Sequence, residues 1–598
     1  MRSFENASIH RRGTAARFLG APIRICRRPP FVAALAVWVV GAGASSASAA
    51  TWYVQAGASA GGNGSSGAPF SSLEDVQSAA GPGDTIIIDP APVGVAPLNG
   101  GIALKPGQSL EGGGPAVAGN TGNLQALPAV TNTTASQLSG DAVRLADNTT
   151  VENLVIPGAH RGAIYGLDSV GVRVLGNDVS NQNTSCTKGF LVQPFNVPTG
   201  IPFVAVPASP AVAPQNGWAG IMVDGSTATG TIDVEDNYVH DAACGDGIDI
   251  RAMGSSSFTA TVTGNTVTKL AQGSSLSSVL AIGMQALDSG YLHVGQDRNT
   301  ETYIGSPGAD CEGEFANTAA SGVVIDNVEN NTFAHGIGGT SCNGFETIIS
   351  KGNGTIAVDL RNSTFTDNNG DAFEEGNLGS GSTMRFLADH VVVDGTTVRG
   401  GNPPLSSDGG TNPIPFNIGD CMVLGDDGAN DSTTFVMTNS VFEGCNNGIS
   451  AGNNAGLGNG VGLPEALVVN IDHSVITHNA KYGLHVYNGT PINMLHVSVA
   501  NTAITSNGER GASVEAAPEG VAEDPKIDFG GGSLASPGGN CLYGNAGGDL
   551  ESTNFAITAD HDWWGHPGPP RAGQVVTHET GSISTDDGLA EQPACGVQ

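Results

Sequence analysis

The 598-residue chain contains 88 glycines, 5% aromatic and 13% charged residues, and carries a formal net charge of −33. This composition disfavours a conventional helical core and favours many short strands joined by turns. The acidic excess makes nucleic acid and anionic membranes poor partners.

Residues 1–50 have the pattern of a secretory signal. Seven arginines precede a 14-residue apolar run at 31–44, and small residues follow it up to Ala49 and Ala50. The run is shorter than the roughly 20 residues that span a bilayer, and no later stretch of the sequence approaches that length. We expect cleavage near Ala49 or Ala50, so that residues 51–598 are secreted as one domain without a transmembrane segment. Since 1–50 holds seven basic residues and one acidic residue, the remainder carries a formal charge of −39.

The segment 51–89 begins the mature chain. A short amphipathic helix is predicted from the spacing of Phe70, Leu73 and Val76, with Ser71 and Ser72 at its start. The apolar run TIIID at 85–89 then predicts a buried strand.

One pattern recurs along most of the remaining chain. It consists of Asn or His, an apolar residue three positions later, a polar turn, Gly or Ala, and then apolar-x-apolar. The alternation of apolar and polar residues with period two predicts strands. Asn can adopt the left-handed backbone conformation at low energetic cost, and such a residue would turn one short strand into the next. The copies are NYVHDAACGDGIDI from Asn237, NSTFTDNNGDAFEE from Asn362, NSVFEGCNNGISA from Asn439, HSVITHNAKYGLHV from His473 and NTAITSNGERGASV from Asn501.

These copies, the 51–89 segment and the stretch GGNCLYGNAGGDLESTNFAITADHDWWGHPGP at 538–569 resemble the right-handed parallel β-helix proteins of the pectate-lyase-like superfold. The resemblance implies an all-β solenoid with stacked coils and loops of variable length. It implies that the 51–89 helix caps the first coil and that 538–598, with Trp563 and Trp564, closes the last. It leaves the chemistry open, because this fold carries lyases, hydrolases, adhesins and structural proteins.

Alignment of the repeats predicts two columns of polar side chains. Asp249, Glu374, Ser450 and His485 should face solvent in one column, because alternate strand residues point to opposite faces. A second column at the preceding turn should contain Asp246, Asp371 and Asp420. The columns are interpreted either as an acidic strip that grips a cation or a sugar chain, or as turn and solubility residues.

The candidate catalytic residues are Asp246, Asp249, Arg251, Asp371, Glu374 and His485. Polygalacturonases of the superfold carry further acids and an Arg-Ile-Lys that this chain lacks, and only Asp246 matches them. Arg251 directly follows IDI, where it could serve a lyase-like reaction or form only a weak surface ion pair. Asp246 and Asp249 stand three positions apart, so they need not share a face and are expected to make a poor pair by themselves. Their better partners are expected on other coils, namely Asp371, Glu374 and Asp420.

The cysteines and one acidic loop suggest further features. Eight cysteines follow residue 50, an even count that indicates disulfides in an oxidising compartment, and sequence proximity favours the pairs 311–342 and 421–445. The loop GDDGAND places Asp426, Asp427 and Asp431 as oxygen ligands suited to calcium, or as an ordinary solvated loop.

Two functions remain open from the sequence. The first is an exported protein that binds extracellular or cell-wall polysaccharide, or acts on it by lyase-like or glycoside-hydrolase-like chemistry. The alternative is a non-catalytic, adhesin-like surface or matrix scaffold.

Overall fold

The computed structural model describes residues 49–119, 127–191, 215–271, 273, 278–306, 310–337, 341–395, 419–426, 428, 430–453, 466–489, 491–518 and 520–597. Ala49–Gln598 form one compact unit. The predicted signal segment, except Ala49 and Ala50, lies outside the described residues. No helix in the described ranges is long and apolar enough to cross a bilayer.

A single α-helix covers the start of the solenoid, as predicted. It spans Leu73–Ala79, and the Ser72 hydroxyl accepts a hydrogen bond from the Asp75 N–H as the N-cap. Leu73 and Val76 are buried on its apolar face. A short 3₁₀ turn, Leu138–Gly140, is the other helical element in the described chain.

Three long parallel sheets run the length of the compact unit. The 17-stranded sheet contains Thr51–Gln55, Thr85–Asp89, Ser109–Gly112, Thr150–Glu152, Val172–Leu175, Thr229–Glu235, Ser257–Thr263, Tyr291–Asp297, Val323–Glu329, Thr355–Arg361, Thr383–Asp389, Ser432–Thr438, Ala466–Asp472, Met494–Ala500, Asp524–Gly530, Ala556–Ala559 and Ser582–Ser584.

The 12-stranded sheet contains Val155–Pro157, Asp178–Ser180, Tyr238–His240, Thr266–Thr268, Thr300–Thr302, Thr332–Ala334, Thr364–Thr366, Val392–Asp394, Val441–Glu443, Val475–Thr477, Ala503–Thr505 and Cys541–Tyr543. The 15-stranded sheet contains Ile102–Ala103, Val143–Arg144, Ile164–Leu167, Ile221–Gly225, Ile248–Ala252, Ser278–Asp288, Asp310–Ala320, Ser341–Gly352, Phe373–Asn377, Met422–Asp426, Ile449–Asn453, Leu484–Asn488, Ala512–Ala516, Leu550–Thr553 and Val575–His578. Leu98–Asn99 pairs with Val130–Thr131, and Lys188–Leu191 forms an antiparallel pair with Gln215–Gly217.

The chain visits the three sheets in a fixed order. Thr229–Glu235 in the 17-stranded sheet leads to Tyr238–His240 in the 12-stranded sheet and then to Ile248–Ala252 in the 15-stranded sheet. The next coil pairs with it in parallel, residue for residue, for example from Ile248 to Ile282. This is the right-handed parallel β-helix that the sequence predicted.

The interior of the solenoid is built from stacked apolar side chains. Phe333 and Phe365 stack at a centroid distance of 4.4 Å, and Phe365 meets Phe373 edge-on at 4.3 Å. Trp564 is 1% exposed and belongs to the same core. Closure of the last coil by the C-terminal stretch stays a prediction.

The first residue of the sequence repeat has two structural roles. Asn237 has its side chain in a buried ladder, in which it donates to Asn265 Oδ1 at 3.0 Å, and the left-handed residue there is Asp236. The prediction of a left-handed turn is therefore wrong for Asn237, because in this copy of the repeat the left-handed residue comes one position earlier, at Asp236. It is confirmed, with φ of 47–49°, for Asn362, Asn439 and Asn501, and His473 takes the same conformation with φ of 46°.

Four disulfides join the described cysteines. The predicted pairs Cys311–Cys342 and Cys421–Cys445 are both formed. Cys186–Cys244 and Cys541–Cys595 account for the remaining four cysteines after residue 50. Such a set is typical of proteins that fold in an oxidising compartment.

One coil carries three carboxyl groups inside the apolar lumen. Glu301, Glu314 and Asp326 take inward positions, one on each sheet, and each is at most 1% exposed. Gln296 Nε2 donates to Glu314 at 2.8 Å and to Asp326 at 3.0 Å, while Asn331 donates to Glu314 at 2.7 Å. Burial raises the pKa of all three, that of Asp326 to about 7. This coil therefore favours protonated carboxyls.

Candidate functional site

A bend before each strand of the 15-stranded sheet decides which side chains face outward. Gly247 turns toward the lumen, since a Cβ there would lie 2.4 Å from Ala281 O and 2.6 Å from Val267 Cγ1. Ile248, the next residue, also packs in the core. Because two successive residues point inward, Asp246 and Asp249 both lie on the outer face. The two acids therefore share a face, which their three-position spacing did not indicate, since simple alternation fails at the bend.

The coils repeat this geometry, so two adjacent columns run along the outer face of the 15-stranded sheet. The strand column follows the printed register from Met222 through Asp249, Gly283, Phe315, Glu346, Glu374, Val423, Ser450, His485 and Ser513 to Glu551. The corner column, which precedes the strands, contains Asp246, Leu280, Glu312, Asn343, Asp371, Asp420, Asn447, Tyr482 and Arg510.

The predicted members of each column are therefore aligned, but their predicted exposure is wrong. Asp249 and Ser450 are fully buried and His485 is 2% exposed, whereas Glu374 is half-buried. In the corner column Asp246 and Asp420 are fully buried and Asp371 is 6% exposed. The columns are consequently places where carboxyl groups interact with each other rather than a solvated acidic strip.

Asp246 and Asp249 form a carboxyl pair. Asp246 accepts hydrogen bonds from the Leu280 N–H at 2.9 Å and from Asn216 Nδ2. Both Asp249 oxygens are buried and accept no hydrogen bond in the described structure. The Asp249 carboxyl lies close to that of Asp246. Burial raises the pKa of both groups, and their mutual repulsion raises that of Asp246 further. Burial and the closeness of the two acids therefore favour a protonated form of the pair.

Arg251 lies beside this pair in a buried ion pair. Its Nε and Nη2 donate to Asp224 at 2.6 and 2.7 Å, and its side chain is 9% exposed. Tyr165 also donates to Asp224, at 3.3 Å. The interpretation of Arg251 as a surface residue with a weak local pair is wrong, because the pair is bidentate and desolvated.

An apolar cluster outside the lumen covers the N-terminal part of the same face. It packs Trp218 against Tyr165, with ring centroids 5.1 Å apart, and Arg161 lies 3.9 Å over the Trp218 ring. The sequence did not indicate this cluster, because its members come from five separate strands or loops; the buried ones are Trp218, Ala219, Met222, Leu280, Phe315 and Ile348.

Asp371, Glu374 and Asp420 form a second carboxyl group, the acid triad. The Asp420 carboxylate accepts hydrogen bonds from Asn447 and, at 2.6 Å, from the Ser450 hydroxyl. Burial raises the pKa of Asp420 to about 6, and these hydrogen bonds limit the rise. Burial, then repulsion by Asp420 and Glu374, raises the pKa of Asp371 well above its ordinary value.

Glu374 is the solvent-facing member of the acid triad. Asn343 Nδ2 donates to Glu374 Oε2 at 2.6 Å and to Glu346 Oε2 at 3.3 Å. The triad therefore combines Asp371, whose pKa is raised well above its ordinary value, with the hydrogen-bonded Asp420, whose pKa is raised to about 6, and with the half-buried Glu374 at the surface. Divergent environments of this kind are typical of acid–base pairs in active sites.

The Asp246–Asp249 pair and the acid triad lie too far apart to act on one glycosidic bond. Asp246 and Asp371 are separated by four strand steps of the 15-stranded sheet, or about 19 Å at the usual strand spacing. Paired carboxylates that cleave a glycosidic bond lie about 5 to 9.5 Å apart. The prediction that Asp246 and Asp249 have their better partners in Asp371 and Glu374 is therefore wrong.

An open cleft of about 800 Å³ lies at the C-terminal end of the same face. We call it the C-terminal cleft; its polar lining includes Tyr482, Arg510, Glu515, Glu551, His578 and Glu579. His485 lies beside it, stacked on Tyr482 at a centroid distance of 4.4 Å.

The predicted calcium ligands are placed differently from a solvated loop. Asp426 and Asp431 are fully buried, their side chains hydrogen-bond to each other, and Thr433 Oγ1 donates to Asp426 at 3.0 Å. Asp427 lies outside the described residues. Within the described ranges, no group of three or more His, Cys, Asp or Glu side chains has the arrangement of a metal site.

Comparison with known proteins gives distant structural similarity. No protein-family profile matches the chain, and no curated protein sequence matches it. Among solved structures, the catalytic domain of a GH87 α-1,3-glucanase variant in complex with nigerose has a TM-score of 0.35 and 9% identity. The match covers 84% of this chain and 66% of that domain, slightly less than two thirds. DFA-IIIase from Arthrobacter chlorophenolicus A6 in complex with GF2 has a TM-score of 0.27 and 14% identity over 71% of this chain and 78% of that one.

Proposed function

We propose that the protein is an exported glycoside hydrolase that acts on a polysaccharide lying along the outer face of the 15-stranded sheet. The observation that carries the proposal is the acid triad, in which neighbouring carboxyls with differently shifted pKa values share one stretch of that face. Hydrolysis of a glycosidic bond needs one carboxyl that donates a proton and one that accepts a proton. The four disulfides support export.

The roles follow from protonation and exposure. Asp371, kept protonated, donates its proton to the oxygen of the departing sugar. Glu374, the half-buried carboxylate, accepts a proton from the attacking water, so that the bond is cleaved and water is added across it. Asp420 is a positioning residue, because its charge keeps Asp371 protonated and its N–H donates to Asp371 Oδ1 at 2.7 Å.

The charge of the protein restricts the substrate. The chain has 56 acidic and 23 basic residues, and a polyuronate would be repelled by this field. Elimination from a uronate also requires a carboxylated substrate. We therefore propose a polysaccharide without acidic groups.

A panel of neutral, basic and acidic polysaccharides tests this proposal. Protein and polysaccharide are incubated, and the products are assayed for new reducing ends, unsaturated ends and retention of protein on the polymer. We expect new reducing ends without unsaturated ends from a non-acidic polymer. Asp371→Asn should lower the rate by roughly 10²- to 10⁴-fold, as expected for loss of a general acid.

The matched control is Asp359→Asn, a partly exposed acid on the 17-stranded sheet, which should leave the rate unchanged. Unsaturated ends would indicate a lyase and contradict the proposal. Retention without cleavage would indicate a binding protein. Neither retention nor cleavage across the panel would favour the scaffold function.

A further inference from the structure

The C-terminal cleft has more acidic than basic groups. Four glutamates line it, and Arg510 is the one permanent cation among its described lining residues. Arg510 is bound to a single acid, donating from Nε and Nη2 to Glu551 at 3.0 and 3.3 Å. The other three carboxylates, Glu509, Glu515 and Glu579, give the cleft a negative potential that focuses cations.

Glu515 is held as an ionised acceptor. Burial raises its pKa, but the nearby His485 and a hydrogen bond from Ser513, at 2.7 Å, outweigh burial and leave the pKa below its ordinary value. Ser513 Oγ also lies 3.2 Å from Glu551 Oε2. The two carboxylates thus meet at one hydroxyl, so their nearest oxygens are at most about 5.9 Å apart.

His485 is a second, independent indication of a ligand. Its side chain is 2% exposed, yet neither ring nitrogen makes a well-formed hydrogen bond. Its Nε2 lies 3.5 Å from Glu515 Oε1, and its ring stacks on Tyr482, which lines the cleft. A buried imidazole without a close partner beside an open cleft is a polar group that a bound ligand can satisfy.

The cleft continues the proposed substrate path. Along the corner column Tyr482 is two strand steps beyond Asp420, about 10 Å at the usual strand spacing. A cleft volume of about 800 Å³ lies within the range of ligand-binding sites.

We propose that the C-terminal cleft binds the protonated amine of an amino-sugar unit, so that the protein recognises a cationic amino-sugar chain. This inference rests on the proposed function, because it assigns a substrate class to the same face. A neutral sugar gains little from a cleft lined by carboxylates, an acidic sugar is repelled, and an ammonium group can donate a charge-assisted hydrogen bond to Glu515.

Calorimetric titration with defined oligomers tests the inference. The probes are a glucosamine hexamer, its fully N-acetylated form and an oligogalacturonate, at low and at physiological salt. We expect the glucosamine hexamer to bind most tightly, and its affinity to fall with salt because the attraction is between opposite charges. Glu515→Gln and Glu579→Gln should each weaken binding about fivefold, the effect of removing one charge in a wet cleft.

The control variant is Glu74→Gln in the cap helix, at the opposite end of the solenoid, which should leave binding unchanged. Equal affinity for the glucosamine and N-acetylated hexamers, or no effect of both cleft variants, overturns the inference. Asp371→Asn should bind the hexamer normally, so binding and cleavage can fail separately. If an uncharged polymer is cleaved and amines are not preferred, the inference is overturned and the proposed hydrolase function is retained. If binding is selective for amines but no polymer is cleaved, the hydrolase function is contradicted and the inference is retained.

Discussion

The lumen carboxyls should make the stability of their coil depend on pH. Asp326 has an ordinary pKa of 3.8 and a folded-state pKa of about 7, because it is buried. Between these values the unfolded chain releases the proton and the folded coil retains it, so stability falls as pH rises. From pH 5 to pH 8 this one group removes about 3 kcal/mol, at about 1.4 kcal/mol per pKa unit. Glu301 and Glu314, whose pKa values are also raised, act in the same direction.

The test is Asp326→Asn, which keeps the shape of the side chain and an oxygen that accepts from Gln296. In a solenoid stability is local, so the assay is hydrogen exchange of the backbone amides in 300–329, corrected for intrinsic rates. The parent should lose protection there from pH 5 to pH 8, and the variant should lose about 3 kcal/mol less. Asp359→Asn, which changes a partly exposed acid on the next coil, should behave like the parent. Equal protection of the parent at both pH values would refute the reasoning.

Three further perturbations have definite expected outcomes. Replacing Cys421 and Cys445 together by Ser opens a disulfide with a sequence separation of 24, and should lower the free energy of unfolding by about 3 kcal/mol in chemical denaturation. Arg251→Gln leaves Asp224 buried without its bidentate partner and should cost about 3 to 5 kcal/mol in the same assay; a loss below 1 kcal/mol would mean the site is hydrated. If the predicted calcium site forms, calcium raises the melting temperature of the parent but not of Asp431→Asn, and an unchanged parent excludes it.

The sequence predicted the architecture because period-two alternation and turn residues recur in each coil. The cap helix follows from Ser72, Leu73 and Val76, whose capping and apolar spacing are local properties. Two disulfides followed from sequence proximity. Aligned columns followed from the repeat, since every coil that conserves the bend places its residues in the same register.

Burial and pairing in the site could not be predicted in the same way. Alternation assigns Asp246 and Asp249 to opposite faces, but the inward turn of Gly247 and Ile248 reverses that assignment. Exposure of Asp249 depends on what covers the strand, which is a property of distant segments. The ion pair of Arg251 with Asp224 joins residues of neighbouring coils, and no local pattern encodes it. The lumen carboxyls replace apolar residues in a coil that lacks a clear copy of the repeat.

The pH dependence of reducing-end release by the parent and by Asp420→Asn tests the acid triad most directly. Activity should fall at alkaline pH as Asp371 loses its proton. In the variant, removal of the neighbouring charge lowers the pKa of Asp371, so this alkaline limb should move to lower pH. A merely structural role of Asp420 would reduce the rate without moving the limb. An unmoved limb in an active variant would contradict the assignment of Asp371 as the proton donor.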